Sequence, residues 1–109
     1  MQAALDNLHY LLGRNTHAAS FVTRLGTRPI RNPHHRPSGG DAHAEPWPGL
    51  LAGGPNRYDR DGSGLDALAA TPPARRYVDQ QASYASNENA INWNAPLVFL
   101  LASTLPPER

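Results

Sequence analysis

The sequence predicts an all-α chain in which two main helices are joined by a long loop region. Two observations indicate this class. Apolar residues recur with helical spacing near each end of the chain, and the residues between the two ends are rich in proline and glycine. The chain has 109 residues and no cysteine, so neither a disulfide framework nor a thiolate zinc site can stabilise it.

The first helix is predicted over residues 2–13. Its apolar stripe consists of leucines at three- and four-residue spacing, namely Leu5, Leu8, Leu11 and Leu12. Gly13 is suited to end the helix because glycine readily adopts the left-handed conformation found after helix C-termini. The stripe requires a packing partner elsewhere in the protein.

The loop region over residues 14–86 holds eight of the eleven prolines and eight of the nine glycines. A loop of this length is normally either functional or disordered. Its apolar side chains are too few to offset the conformational entropy of ordering it. We therefore expect this region to pack on surfaces outside the chain.

The second helix is predicted to begin near Asn87, to be distorted at Pro96 and to end before Pro106. An alternative start places Asn94 at the N-cap and Pro96 in the first turn. The helix is apolar on nearly every side, with Ile91, Leu97, Val98, Phe99, Leu100 and Leu101. Such a composition predicts a helix buried in a core.

The charge balance and hydropathy exclude several classes of function. The formal net charge is +1, and no basic block recurs along a helix face, so we expect no nucleic-acid partner and no membrane partner. No apolar run approaches the roughly 18 residues that span a bilayer. Residues 1–15 lack the basic start and the cleavage site of a signal peptide. An uncharged partner is expected.

Acids, imidazoles, a guanidinium and aromatic rings occur together in two motifs, a mixture that suits sugar chemistry. The first motif runs from Ser20-Phe21-Val22-Thr23 through Gly26 and Arg28 to Pro33-His34-His35-Arg36. The second runs from Tyr77 through Asp79, Tyr84 and Glu88 to Asn94-Ala95. Glycosidic bond hydrolysis uses a pair of carboxyl groups, one of which is held protonated beside the leaving oxygen.

These motifs resemble those of glycoside hydrolase family 9, whose members are mostly cellulases. The resemblance implies that residues 1–109 are an incomplete C-terminal portion of a catalytic domain built as an (α/α)6 barrel, with the loop region at its active site. It also implies that the full-length protein hydrolyses β-1,4-glucosidic bonds in cellulose or related β-glucans by an inverting mechanism. A secreted or periplasmic location of the full-length protein follows from the same resemblance.

The resemblance implies a role for five residues. Glu88 occupies the position of the general acid, and Asp79 that of a supporting carboxylate that orients an imidazole such as His34. His34 and Arg36 would contact the sugar, and Tyr84 would stack on a pyranose face. Three neighbouring candidates are expected to be structural, namely His35, Trp47 and Trp93.

An inverting glycosidase also needs a second carboxylate, roughly 6.5–9.5 Å from the acid, to activate water. The resemblance places this base on an aspartate motif that is not in this sequence. The expected partners are therefore a β-glucan and the remaining N-terminal part of the domain, and the chain alone should be close to inactive. Two alternatives stay open: a non-catalytic glucan-binding or partner-completing module, and a truncated product that is largely unfolded by itself.

Two patterns in the sequence imitate metal sites, and neither predicts one. Asp59, Asp61, Ser63, Gly64 and Asp66 imitate the start of a calcium loop, but Ala70 replaces the glutamate at its twelfth position, which favours an acidic turn. The spacing of His34, His35, Asp41, His43 and Glu45 fits no standard zinc site. No metal or cofactor is expected in this chain, while the resemblance allows calcium in the complete domain, with Asp41 as one candidate ligand.

Overall fold

The structure is a computed structural model that describes residues 2–57 and 61–106. Within these two ranges there are four α-helices: α1 (Gln2–Leu11), α2 (Arg36–Gly40), α3 (Tyr84–Asn87) and α4 (Ile91–Ser103). Two short 3₁₀ helices, Leu65–Leu68 and Pro73–Arg75, lie in the loop region. Over the described ranges the chain forms isolated β-bridges but no extended strand, which agrees with the all-α prediction.

Helix α1 ends as the sequence predicts, with Gly13 in the left-handed region at a φ of 124°. The N–H of Arg14 donates to the carbonyl of His9 at 2.8 Å, and that of Gly13 donates to the carbonyl of Tyr10 at 3.3 Å. These two bonds form a Schellman motif, which satisfies carbonyls that have no partner inside the helix. A Cβ at position 13 would also lie 2.9 Å from the Cβ of Thr27.

The core lies where α1 and α4 pack together and where the loop region crosses them. Leu8 from α1 and Leu97 from α4 are both buried in this core, so the leucine stripe of the first helix packs against the second. The loop region supplies the other buried members of this cluster, namely Phe21, Val22, Ile30, Leu51 and Ala52. A single small core therefore joins the two ends of the chain.

Backbone pairing orders much of the loop region. Antiparallel bridges join Val22 to Leu51 and Ala52 to Asn89, and a parallel bridge joins His34 to Glu88. The bridge between His34 and Glu88 brings the two sequence motifs side by side although 40 residues separate them in the chain. Sequence periodicity could not reveal this pairing, because each bridge involves a single residue pair.

The prediction that the second helix begins near Asn87 is wrong, and so is the alternative N-cap at Asn94. Asn87 is the last residue of α3, Glu88 is extended with a ψ of 147°, and α4 begins at Ile91. Pairing of Glu88 with its neighbours keeps the backbone extended at this point. Pro96 lies inside α4, as the favoured prediction had it.

The prediction that the second helix is buried is also wrong for this chain. Leu97 is its only buried residue among those the structure describes. Ile91, Val98 and Phe99 are 89%, 62% and 77% exposed, and together they define what we call the α4 apolar face. No helix within residues 2–57 and 61–106 is long and apolar enough to cross a membrane.

Candidate functional site

The backbone of Glu88 is held from both sides. The carbonyl of Glu88 accepts a hydrogen bond from the N–H of Gly53 at 2.8 Å, and the carbonyl of Asn87 accepts one from the N–H of His34 at the same distance. The fit around Gly53 is tight, because an added Cβ would lie 3.0 Å from the Trp93 ring and the ring would have to shift. The Glu88 side chain, by contrast, is exposed. A fixed backbone thus carries an accessible carboxyl group.

His34 lies next to Glu88 with a defined tautomer. Residues paired across a β-bridge present their side chains to the same face, so His34 and Glu88 share one side of the bridge. The Nδ1 of His34 lies 2.5 Å from the carbonyl oxygen of Gln81. A carbonyl can only accept, so Nδ1 carries the proton, and Nε2 is the nitrogen left for a ligand.

Tyr84 completes the surface that we call the acid face, which consists of His34, Tyr84 and Glu88. Its ring centroid lies 6.4 Å from that of His34 in an edge-to-face arrangement, and the residue is 53% exposed. Arg36 is also exposed, at the first residue of α2. Alternation along an extended chain would place Arg36, two residues after His34, on the same side as His34. This expectation does not apply, because α2 begins at Arg36.

Asp79 does not orient the imidazole of His34, which is a correction to the expected role. Its carboxylate accepts hydrogen bonds from the backbone N–H groups of Arg31 at 2.8 Å and of Asn32 at 2.9 Å. It therefore holds the loop that leads to His34, while the carbonyl of Gln81 holds the imidazole itself. Asp79 therefore supports the acid face indirectly, through the loop that carries His34.

Asn87 was missed as a site residue, since the sequence suggested only a helix cap. It is fully buried, and its side-chain amide contacts three segments of the chain. The Nδ2 group donates to the carbonyl of Asn32 and to the carboxylate of Asp79, the latter at 3.2 Å. The hydroxyl of Tyr77 donates to its Oδ1 at 2.5 Å. An asparagine directly before a motif acid was the only signal available in the sequence.

A cleft of about 560 Å³ is lined by residues that include Asp79, Tyr77, Arg28 and Arg31. The lining does not include Glu88, His34 or Tyr84. The acid face is therefore an open surface rather than part of this cleft. Close to it, the side-chain Oδ1 of Asn89 is buried with no hydrogen-bond partner among the described residues.

His35 has the structural role that was predicted for it. Its Nδ1 accepts from the N–H of Ser38 at 3.3 Å and caps α2, and its ring lies edge-to-face with Trp47 at 5.1 Å. The indole of Trp47 donates to Asp41 at 2.5 Å. Hydrogen bonds from His43 and Trp47 lower the pKa of Asp41. These side chains stabilise one another.

Within the described part of the chain, no group of three histidine, aspartate or glutamate residues is placed to hold a metal ion. Asp41, the one calcium ligand considered for a complete domain, already accepts bonds from a backbone N–H and an indole. The residues present therefore do not fit a calcium ion by themselves. Asp59, the first residue of the imitated calcium loop, lies outside the described residues.

Asp61 organises the turn before α3 through hydrogen bonds. Its Oδ2 accepts from the hydroxyl of Ser83 at 2.6 Å and from the N–H of Ala85 at 3.2 Å, and its Oδ1 accepts from the N–H of Ser63 at 3.0 Å. Partial burial raises the pKa of this carboxyl, but the hydrogen bonds from Ser63, Ser83 and Ala85 outweigh it, so the pKa is lowered.

The lowered pKa of Asp61 predicts a pH dependence of stability. A carboxylate whose pKa is lower in the folded state stabilises fully above its ordinary pKa of 3.8, and this contribution is lost as the pH falls through the lowered value. Asp61→Asn is expected to reduce stability near neutral pH and to flatten this acidic dependence. Denaturant unfolding followed by tryptophan fluorescence between about pH 3 and 6 measures both effects. An unchanged slope would contradict the assignment.

The sequence of this chain is similar to those of known proteins of one family. The sequence profile of Glycosyl hydrolase family 9 matches residues 1–101. The xyloglucan-specific endo-beta-1,4-glucanase BoGH9A of Bacteroides ovatus is 48% identical over 100 residues, which are 92% of this chain and 16% of that protein. Endoglucanase D of Acetivibrio thermocellus is 44% identical over 102 residues, 94% of this chain and 14% of its own length.

Solved structures agree with the sequence matches. A mutant of a thermostable endoglucanase from Alicyclobacillus acidocaldarius superposes with a TM-score of 0.83 at 44% identity, covering 90% of this chain and 18% of that one. The predicted all-α class, as part of an (α/α)6 barrel, is confirmed by this similarity. This chain spans less than a fifth of the length of these relatives. The chain belongs to glycosyl hydrolase family 9.

Proposed function

We propose that this chain supplies the acid side of an active site that hydrolyses β-1,4-glucosidic bonds, within a complete family 9 catalytic domain. The observation that carries the proposal is the acid face, where Glu88 projects from a fixed backbone beside His34 and Tyr84. The relatives named as endo-β-1,4-glucanase and endoglucanase supply the substrate class. Because such glucans are polymers outside the cell, we propose that the full-length protein is secreted or periplasmic.

Each residue of the acid face has a role in this reaction. Glu88 would protonate the glycosidic oxygen of the leaving sugar, since an exposed carboxyl on a rigid backbone can be aimed at that oxygen. His34 would hydrogen-bond a sugar hydroxyl through Nε2, and Arg36 would contribute further donors. Tyr84 presents an exposed aromatic ring on which a pyranose can stack.

We infer an inverting mechanism whose base lies outside this chain. Asp79 is a poor candidate for that base, because both of its carboxylate oxygens already accept backbone N–H bonds. A carboxylate across the sugar, roughly 6.5–9.5 Å from Glu88, would have to come from another part of the domain. The Oδ1 of Asn89 is buried without a hydrogen-bond partner among the described residues. Buried polar atoms are normally hydrogen-bonded, so we expect a donor from another part of the domain near this site.

The α4 apolar face supports the same proposal, because three large apolar side chains on one helix need a cover. We expect the rest of the barrel to pack against it. Val98→Ala should then destabilise a complete domain by about 1.5 kcal/mol, at about 0.8 kcal/mol per buried methyl-sized group. If Val98 stayed as exposed as it is here, the change would be within about 0.5 kcal/mol. Thermal and denaturant unfolding of the complete domain distinguish these values.

The proposed function is tested in a chimeric domain in which this chain replaces the matching segment of the Alicyclobacillus acidocaldarius endoglucanase. The chimeric domain should release sugars from cellooligosaccharides, and the newly formed end should be the α-anomer by proton NMR. The 109-residue chain alone should give no turnover. A folded chimeric domain that binds cellohexaose without cleaving it would favour the non-catalytic glucan-binding alternative.

A further inference from the structure

Asn87 is a fully buried polar residue directly beside the acid face. Its exposed fraction is 0%, and it directly precedes Glu88 in the chain. Its backbone is bonded on both sides, through its N–H to the carbonyl of Ser83 at 2.9 Å and through its carbonyl to the N–H of His34 at 2.8 Å. A movement of Asn87 would therefore move both His34 and Glu88.

The orientation of the Asn87 amide follows from its partners. Its Nδ2 faces only acceptors, which are the carbonyls of Asn32 and Gln80 and one carboxylate oxygen of Asp79. The end of the amide that faces these acceptors must therefore be the NH₂ group, and the amide oxygen must face the hydroxyl of Tyr77. Burial, together with the charge of Asp79, raises the pKa of Tyr77, so its hydroxyl keeps the proton that it donates to Oδ1.

The amide thus links the supporting carboxylate to the acid. One end of the link is Asp79, which also holds the loop of Arg31 and Asn32, and the other is the peptide from which Glu88 projects. A buried amide with every donor and acceptor satisfied is rigid, because any rotation would leave a polar group unpaired. The groups that titrate around it are Asp79, Tyr77, Glu88 and His34.

We propose that Asn87 is a positioning residue, which sets the separation and relative orientation of Asp79 and Glu88 and, through Tyr77, keeps both in place during turnover. The proposal rests on the proposed function, because it concerns how the same acid is aimed. It predicts that changes at Asn87 act on the chemical step more than on substrate binding. A purely structural asparagine would affect only the folded fraction.

Two substitutions in the chimeric domain test the proposal. Asn87→Ala removes the link and should lower kcat by about 10- to 100-fold, the cost of a misplacement near 1 Å, with KM changed by less than about threefold. Asn87→Asp places a second carboxylate against Asp79, so the pair should retain a proton to higher pH. Because the proposed positioning requires Asp79 as an ionised acceptor of three N–H groups, a protonated pair should be inactive, and the acidic limb of the pH profile of kcat should move up by about one pH unit.

The matched control is Asn94→Asp. Asn94 is an amide in α4 whose Nδ2 donates to the carbonyl of Gly49 at 2.6 Å and whose Oδ1 accepts from the N–H of Leu51 at 3.2 Å. The same substitution there removes a donor of the same kind, but none of these partners is a carboxylate. It should lower the melting temperature and leave the acidic limb of the pH profile in place.

Tyr77→Phe keeps the test decisive if the Asn87 variants do not fold. The ring packing against Phe21 is retained, and only the hydroxyl that fixes the amide is lost. We expect a several-fold loss of kcat that shrinks when Asp79 is replaced by Ala, because both changes act through one link. Losses that multiply independently, or a pH profile that moves in Asn94→Asp as much as in Asn87→Asp, would overturn the proposal.

Failure of this proposal can be told apart from failure of the proposed function. If the unsubstituted chimeric domain folds but hydrolyses no β-1,4-glucan, the proposed function fails and Asn87 has no reaction to position. If the domain is active and depends on Glu88, but Asn87→Ala and Tyr77→Phe retain full kcat once the folded fraction is measured, only the positioning role of Asn87 is wrong.

Discussion

Glu88→Gln in the chimeric domain is expected to lower kcat on cellooligosaccharides by about 10²- to 10⁴-fold. Glutamine has nearly the same shape as glutamic acid but has no proton to give to the leaving oxygen. The residue lies on an extended backbone paired on both sides, so the substitution should leave the fold intact. Steady-state assays and a thermal melt of the same sample measure both quantities.

The loss in Glu88→Gln should depend on the leaving group. An aryl cellobioside with a strongly acidic phenol needs little protonation as it departs, so its hydrolysis should fall far less than that of cellotetraose. Glu45→Gln is the matched control, since Glu45 is exposed and paired only with Arg31 at the surface. Equal losses with both substrates would show that Glu88 is not the proton donor, and so would unchanged turnover.

Phe21→Ala should give the largest loss of stability of any single change in the loop region, about 3–5 kcal/mol. Phe21 is 1% exposed, and its ring packs against Tyr10, His17 and Tyr77 with centroid separations of 6.0, 5.8 and 5.0 Å. Truncation would leave a cavity between α1 and the segment that carries Tyr77. Denaturant unfolding of the chimeric domain measures the change in free energy.

Phe21→Leu separates cavity formation from the loss of ring contacts. Leucine fills much of the same volume and should cost less than about 1.5 kcal/mol. Because Tyr77 also fixes the amide of Asn87, Phe21→Ala should lower kcat in the molecules that remain folded, whereas Phe21→Leu should largely retain it. Similar losses for both variants would mean that the ring contacts, rather than filled volume, stabilise this region.

The sequence predicted the features that depend on local signals. The leucine stripe of the first helix, its end at Gly13 and the place of Pro96 inside the second helix all follow from spacing and from the conformational preferences of single residues. His35 was expected to be structural because two adjacent histidines cannot both face one site, and it caps α2. The family was recognisable from two gapless motifs.

The features that the sequence did not predict depend on contacts between distant segments. The extended backbone at Glu88 comes from pairing with His34 and Gly53, which no local pattern encodes. Asp79 was expected to orient His34, but hydrogen bonds to Arg31 and Asn32 hold it instead. The apolar sequence of α4 predicts burial, yet Leu97 is its only buried residue among those described, and the cover that we propose for its apolar face would come from the rest of the domain.

The N–H of Asn56 donates a hydrogen bond to the carbonyl of Arg76 at 3.1 Å, which holds together the two ends of the segment between these residues. A second bond from the Asn56 side chain to the carbonyl of Ala85 anchors the same point to α3 at 2.8 Å. Since lengthening a loop whose ends are fixed costs little free energy, changes of length in this segment should be tolerated where they leave the contacts of Asp61 and the buried side chain of Leu65 intact. Such changes are expected to leave the backbone pairing of Glu88 with His34 and Gly53 undisturbed.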